Sequence, residues 1–282
     1  MLENITIILV LYEESDEIIF ENLDKIKNFK IIILDNAGNK SLQKKITLKY
    51  TIEKYILSTK NIGFSKGYNT AISFCTTEFI FIKNADCFID QENVLKLFDY
   101  LNTDKKCMLV APTSYDTEGN QNFCGSNLPE HTNKKDSIKV EGNICVESVL
   151  GAAMFMHIKD FKEINMFDTN MFNYFSDHDL CRKIIMKKKS IIQLSSSTCI
   201  HVHGQSKVKN SLKRIYLREY YFTLDQLHYF FKIKMHNQLF DKLKKKIKKY
   251  IFKVILNCFY LNFKKIIRYY SLILAYLEFK KF

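Results

Sequence analysis

An apolar run that stops abruptly at an acidic residue constrains this chain more than any other stretch. Phe79, Ile80, Phe81 and Ile82 are contiguous and bulky or β-branched, and Lys83, Asn84, Ala85 and Asp86 follow at once. Four such residues in a row read as a central strand buried on both faces of a sheet. The polar break then falls at the carboxyl end of that strand, and in open α/β sheets the crevice beyond those ends is where ligands bind. A carboxylate there can hold a divalent cation and, through it, a diphosphate. Taken alone, Asp86 could equally cap a helix or turn a loop.

The upstream sequence builds the rest of such a sheet. Residues 5–12 read as a first strand and 15–28 as a helix with Ser15 at its N-cap and apolar residues at Ile18, Ile19, Leu23 and Ile26. Residues 31–34 form a second strand ending in Asp35, before the turn-prone Asn36, Gly38 and Asn39. A third strand at 52–57 and a loop passing into a helix at 63–74 lead to the Phe79 strand. Strands alternating with helices imply a doubly wound, largely parallel sheet. Asn61, Gly63, Phe64, Gly67 and Asn69 punctuate the third connection, where glycine permits close backbone approach and a helix N-terminus favours an anion. Neither GxGxxG nor GxxxxGK[ST] is present, so no dinucleotide or Walker loop is indicated.

With 47% hydrophobic residues in 282, the chain can build a sizeable core. Its eight cysteines include no CxxC pair and sit mostly in apolar runs, which points to a reducing compartment and to neither a zinc site nor a disulfide framework. The N-terminus lacks a basic segment and a small-residue cleavage site, so it reads as a strand and not as a secretion signal.

The second half carries a denser group of polar residues. Residues 149–158 read as an apolar strand entered through Gly151, Ala152 and Ala153, which let a substrate approach the backbone. Phe167, Asp168, Phe172, Tyr174, Asp177, His178 and Asp179 then mix aromatic and acidic chemistry before a helix expected over 180–188. Either Asp177 or Asp179 can cap that helix or act chemically. A short strand at 198–200 ends in His201, Val202, His203 and Gly204, and the two histidines point to opposite faces of an extended segment.

The net charge of +13 is all in the tail: residues 205–282 hold 19 Lys and Arg against 4 Asp and Glu, whereas 1–204 hold 24 against 26. That asymmetry sets a boundary near residue 205, between a body of 1–205 and a basic, aromatic-rich helical extension of 206–282 directed at an anionic surface. Over 239–254, Leu239, Leu243, Ile247, Tyr250, Ile251 and Val254 fall on one helical stripe, with lysines over most of the rest. Such a helix lies in a bilayer interface, or packs as an arm on the body or another subunit. Residues 266–279 are apolar but only 14 long and interrupted by Arg268, short of the ~20 needed to span a membrane. Lysines interleaved with aromatics are also what nucleic acids attract, but the continuous apolar stripe argues against that partner.

Together these segments resemble the inverting GT-A glycosyltransferases of family 2, in particular rhamnosyltransferase-like enzymes of bacterial surface-polysaccharide synthesis. The resemblance runs over about residues 4–230 and rests on ITIILVLY, IIILDNAGN, NIGFSKGYN, FIFIKNAD, VLGAAMFM, MFDTNMFNYFSDHDLC and IHVHGQS in that order. It implies a Rossmann-like, mostly parallel central sheet flanked by helices, and a nucleotide-sugar donor held by Tyr12, Asp35, Asn61, Gly63, Lys66 and Asn84. Asp86 corresponds to the last aspartate of the metal motif, with Asn84 where the family has its first. His201, or else His203, corresponds to the histidine beside the metal and diphosphate, and the cofactor implied is Mg or Mn. Asp177 stands at the catalytic-base position, with Gly151, Ala152, Tyr174, Ser176 and His178 toward the acceptor. The implied reaction moves a sugar, rhamnose from dTDP-rhamnose as first choice, onto a lipid-linked glycan at the cytoplasmic face of the cell membrane. Three departures stand out: Ser176 replaces a glutamate, Lys83 replaces an apolar residue, and Lys188 or Lys189 replaces a helix-ending glycine. The first keeps open a catalytically inactive scaffold.

Overall fold

A computed structural model describes residues 1–121, 125–131, 141–202 and 210–281. The chain divides into two compact units, Met1–Asp168 with Ser176–Lys207, and Thr169–Phe175 with Val208–Phe282.

The first unit is built on a nine-stranded sheet. β1 (Ile5–Leu11), β2 (Lys30–Asp35), β3 (Lys54–Leu57) and β4 (Phe79–Lys83) are joined by α1 (Asp16–Ile26), α2 (Lys40–Lys49) and α3 (Gly63–Ile72). After β4 come β5 (Cys87–Phe88), α4 (Gln91–Thr103), β6 (Cys107–Tyr115), β7 (Ile144–Cys145), β8 (Ala153–His157), α5 (Ile158–Glu163), α6 (Ser176–Met186) and β9 (Ser190–His201). The strand order is β3-β2-β1-β4-β8-β6-β9-β5, with β7 also on β9. The four N-terminal strands are mutually parallel; β8 runs against both β4 and β6, while β6 and β9 are parallel.

Alternation along the strands explains the unbroken apolar runs. Ile5, Ile7, Leu9 and Leu11 of β1, with Phe79 and Phe81 of β4, share one core with α1, α2 and α4. Ile8, Ile80 and Ile82 share another with Tyr68 of α3 and Leu180 and Ile184 of α6. Because both faces are covered, every position of β4 and all but Val10 of β1 are buried, and no polar alternation survives there. The carboxyl ends of β1, β2 and β4 therefore lie along one sheet edge, as the parallel registers Leu11 to Asp35 and Ile8 to Ile82 require.

Several elements differ from the sequence expectation. β8 begins at Ala153 and not at residue 149, leaving Gly151 and Ala152 in the loop before it. α6 begins at Ser176, four residues early, which places Asp177 in its first turn, where the helix dipole favours a carboxylate. β9 is a 12-residue strand in place of the short segment at 198–200.

The second unit contains the helices α7 (Ser211–Lys232), α8 (His236–Phe259) and α9 (Phe263–Phe279). Leu224 and Leu227 of α7, Leu243 of α8 and Ala275, Tyr276 and Phe279 of α9 form their common core, against which Leu239, Phe240, Ile247 and Tyr250 pack. Of the two readings of the α8 stripe, packing accounts for most of it: Leu239, Leu243, Ile247 and Tyr250 lie in the seam of the helical unit. Asp225 of α7 ties in the 169–175 segment, accepting the backbone N–H groups of Phe172, Asn173 and Tyr174 at 2.8–2.9 Å. Burial pushes its carboxyl up to about 6 despite those donors.

The end of α6 gives a test of the local backbone. Lys188 N–H bonds Ile185 C=O at 2.8 Å and Lys189 N–H bonds Ile184 C=O at 3.3 Å, a Schellman motif that puts Lys188 at φ 56°. The left-handed region costs a side chain ~1–2 kcal/mol, against ~0.5–1 kcal/mol of extra chain entropy for glycine. Lys188→Gly is expected to raise stability by roughly 0.5–1 kcal/mol, seen as a higher urea midpoint at unchanged slope. A lower midpoint would contradict this account of the helix end.

Candidate active site

The chain leaves β4 at Lys83 and immediately turns. Asn84 N–H bonds Ala152 C=O at 3.0 Å, so the loop after β4 is joined to the loop before β8. Three residues on, β5 pairs antiparallel with the end of β9, in the register Cys87 to His201 and Phe88 to Ile200. Val202 N–H also bonds Asp86 C=O at 3.0 Å. This short ladder brings together residues 115 positions apart in sequence: His201 Nε2 lies 3.3 Å from Asp86 Oδ1, with side chains 7% and 14% exposed. His203, the alternative histidine, lies outside the described residues, as do Gly204 and Ser206.

Asp177 reaches the same edge from α6. Its Oδ2 accepts Gly151 N–H at 3.0 Å and its Oδ1 accepts His178 N–H at 2.9 Å. Gly151 is what permits this approach: a Cβ there would sit 3.0 Å from Phe64 Cζ and 3.4 Å from Asp177 Cβ. The chain of bonds Asp177 to Gly151, then Ala152 to Asn84, links the two carboxylates through adjacent backbone. Asp179 has a different environment. It is 1% exposed and ion-paired with Lys183 one turn along the helix at 2.8 Å, a bracing contact within α6.

Other residues singled out by sequence are placed as follows. Asp35 is fully buried, and its carboxylate accepts the N–H groups of Ala37, Gly38 and Asn39 and the hydroxyl of Tyr55. Four protein donors occupy it, so it shapes the 36–39 loop at the end of β2. Gly63, at φ 81°, opens α3, and its N–H is held by Asn61 Oδ1 at 2.9 Å. Asn84 is half-buried beside Tyr68, whose hydroxyl bonds Lys83 C=O at 2.8 Å. Tyr12 is half-buried at the end of β1 and Lys66 is exposed on α3. Ser176, expected to face an acceptor, is 1% exposed and shares a 2.6 Å hydrogen bond with Ser65 Oγ. The glutamate position of the resemblance is thus filled by internal packing. His178 Nδ1 lies 2.7 Å from Ser148 Oγ. Tyr174 belongs to the second unit, where its ring meets Phe222 edge-on at 5.3 Å.

Three residues at this edge escape the sequence reading. Glu14, two residues beyond Tyr12, accepts Tyr12 N–H at 2.6 Å. Desolvation, with the charges of Asp86 and Asp35 adding to it, pushes its carboxyl up to about 7. Asn36 clamps the glycine loop, accepting Ile62 N–H at 3.1 Å and donating to Gly63 C=O at 3.2 Å. Asn22 of α1, 1% exposed, donates to Ala85 C=O at 2.6 Å and Cys87 C=O at 2.9 Å and so holds both sides of Asp86. The only sequence signal for Glu14 and Asn36 is their position just past a strand end. Asn22 looks like any helix residue.

Asn22 also accepts from Lys83 Nζ, which explains how a lysine occupies the end of a central strand. Lys83 is fully buried, and desolvation lowers its pKa to about 8. Glu14, Asp35 and Asp86 together make the edge acidic, which suits a cation. Asp86 and His201 supply one carboxylate and one imidazole, and among the described residues no third His, Cys, Asp or Glu joins them. Two protein donors fit a Mg- or Mn-type ion that completes its shell with substrate phosphate and water.

The mixed α/β sheet flanked by helices resembles the GT-A glycosyltransferase fold. Residues 6–162 match the family described as Glycosyl transferase family 2, and the chain belongs to that family. Among solved structures, the chain is similar to a mannosyltransferase, PcManGT from Pyrobaculum calidifontis, in complex with GDP-Man and Mn2+. There the TM-score is 0.55 at 14% identity, over 78% of this chain and 62% of that one. It is also similar to GalNAc-T7 with UDP, GalNAc and Mn2+, at TM-score 0.59 and 12% identity, over 80% of this chain and 51% of that one. The chain thus spans less than two thirds of either structure. No curated protein matches it in sequence.

Lys83 provides a test of the site's foundation. Between about 8 and the ordinary lysine value of 10.5 the unfolded chain binds its proton more tightly than the folded one. Raising pH through that window therefore stabilises the folded state. The stability of the wild type relative to Lys83→Met is expected to rise by about 1–3 kcal/mol from pH 7.5 to 10, measured by urea denaturation at each pH. A flat difference would mean that Lys83 is not held in a dry environment.

Proposed function

We propose that the protein transfers a sugar from a nucleotide-sugar donor to an acceptor hydroxyl with inversion, using Asp177 as general base. The observation that carries this reading is the meeting of Asp86, His201 and Asp177 at one sheet edge, on backbone joined by the Asn84 to Ala152 bond. Family membership and the nucleotide and Mn2+ named for the two similar structures support it.

The donor's nucleotide is read as lying against the ends of β1 and β2 and the 61–66 loop, near Tyr12, Asn61, Gly63, Lys66 and Asn84. Asp35 and Asn36 contribute by fixing the backbone of that wall. Asp86 and His201 would hold a Mg or Mn ion, which when bound neutralises the departing diphosphate. Asp177 Oδ takes the proton of the acceptor hydroxyl while that oxygen attacks the anomeric carbon. The new carbon–oxygen bond forms on the face opposite the breaking bond to the diphosphate, so one displacement inverts the centre. Gly151 N–H and His178 N–H fix the carboxylate for that task, since a misplaced base loses most of its effect. Ala152 and His178 are the acceptor-side candidates of the first unit that remain once Ser176 is assigned to packing. The donor of first choice is dTDP-rhamnose and the acceptor a lipid-linked glycan, at an anionic bilayer surface on the cytoplasmic side of the cell membrane. Among the described residues no helix is long and apolar enough to cross a membrane, which leaves a peripheral attachment as the proposed form.

The test is transfer with UDP, dTDP and GDP sugars in the presence of Mn. Asp177→Asn keeps shape but removes the proton acceptor, so transfer is expected to fall by about a hundredfold or more while donor binding is kept. Wild-type turnover by Asp177→Asn at saturating acceptor would remove Asp177 from the chemistry.

A further inference from the structure

The seam of the helical unit uses the apolar stripe of α8, yet a second apolar set remains uncovered. It lies at the turn between α8 and α9. Residues 254–263, VILNCFYLNF, carry no charge and are flanked by Lys253 and by Lys264 and Lys265. Phe259, Tyr260 and Leu261 are 81%, 74% and 71% exposed, and Phe252, Ile255 and Phe263 are exposed beside them.

The turn that presents them is well defined. Leu261 sits at φ 50°, Leu261 N–H bonds Cys258 C=O at 3.1 Å and Asn262 N–H bonds Asn257 C=O at 3.0 Å. Asn262 caps α9 by accepting Lys265 N–H at 3.2 Å. A tip whose backbone is closed in this way, while its largest side chains face water, is a built apolar surface.

Along the stretches of the two helices that lead to it the charge is of one sign, with Arg268 paired to an acid of another helix, Glu219 of α7, at 3.3 Å. Residues 242–277 contain ten Lys and Arg and no Asp or Glu. Lys248, Lys249, Lys264, Lys265 and Arg268 are exposed on the two helices that lead to the tip. An apolar end ringed by cations meets its complement at the surface of an anionic bilayer. A second copy of the chain docking tip to tip would bring two cationic collars together. A nucleic acid would satisfy the collar but offers nothing to Ile255 and Leu261. From Lys253 to Phe259 the helix rises ~9 Å, which matches the ~5–10 Å to which interfacial helices bury their apolar side.

We infer that the α8–α9 turn is a membrane-docking tip, inserting Phe259, Tyr260 and Leu261 among acyl chains while the lysine collar engages anionic headgroups. This deepens the membrane part of the function proposed above and needs none of its chemistry.

The chain contains no tryptophan, so Phe259→Trp supplies a single indole at the tip. With the full chain and vesicles of phosphatidylglycerol and phosphatidylcholine, that indole is expected to shift to the blue and to be quenched by brominated acyl chains. Pure phosphatidylcholine should give little of either. Phe259→Asp with Leu261→Asp, and separately Lys264→Glu with Lys265→Glu, should each weaken flotation with the anionic vesicles by on the order of tenfold or more. An indole that stays in water with anionic vesicles would overturn the proposal even if the aspartate variant failed to fold. So would retained flotation of a folded aspartate variant, or a tip substitution that turns a dimer into a monomer in solution. No nucleotide sugar enters these measurements, so their failure leaves the transfer reaction standing, and loss of transfer leaves the tip standing.

Discussion

The pairing of β5 with the end of β9 is the contact on which the site depends. β5 is two residues long, yet its register sets His201 opposite Cys87 and so beside Asp86. A ladder this short is held mainly by what surrounds it. Asn22 bonds the carbonyls on both sides of Asp86, and Cys87 and Cys199 are buried within the first core. Without those supports, two polar side chains near the end of a sheet would have no reason to stay 3.3 Å apart.

The same supports carry a cost in buried polarity. Lys83 enters a position flanked by Ile82 and the sheet core, with Asn22 as its acceptor and its proton affinity lowered by desolvation. A buried polar group is tolerated when it is bonded, and removal of one partner strands the other. Asn22 and Lys83 are therefore best regarded as one unit with the loop they hold. On the opposite side, Asp177 is placed by a glycine that leaves room for it. The site is thus assembled from two loops, and the Asn84 to Ala152 bond is their common edge.

Much of this was legible in the sequence where both faces of an element are buried. β1, β2 and β4 read directly as apolar runs, and the acidic residue past β4 marked the ligand edge. β6 did not, because Pro112 interrupts its pattern; the structure accommodates it at a register shift between Pro112 and Thr113. α2 was also hidden, since only Leu42 and Ile46 of its ten residues are buried and the periodicity is too sparse to mark a helix. Among site residues, the family resemblance singled out Asp86, His201 and Asp177, which the fold brings to one edge. It could not show that Ser176 turns inward to Ser65, or that Asp35 spends its carboxylate on its own loop. Those outcomes depend on neighbours far away in sequence. The stripe of α8 illustrates the same limit: periodicity marks an apolar face but not what covers it, and α7 and α9 do.

The central claim is that Asp86 and His201 form half of a cation site that a nucleoside diphosphate completes. It is tested most directly by titrating Mn2+ into the full chain, by calorimetry or electron paramagnetic resonance, with and without UDP, dTDP or GDP. Two protein donors alone should bind the ion weakly, and one of these diphosphates should tighten it by on the order of tenfold or more, with reciprocal tightening of the nucleotide. Asp86→Ala and His201→Ala should each abolish that coupling. Mn2+ affinity that is the same with and without every diphosphate, or coupling that survives both substitutions, would contradict the account.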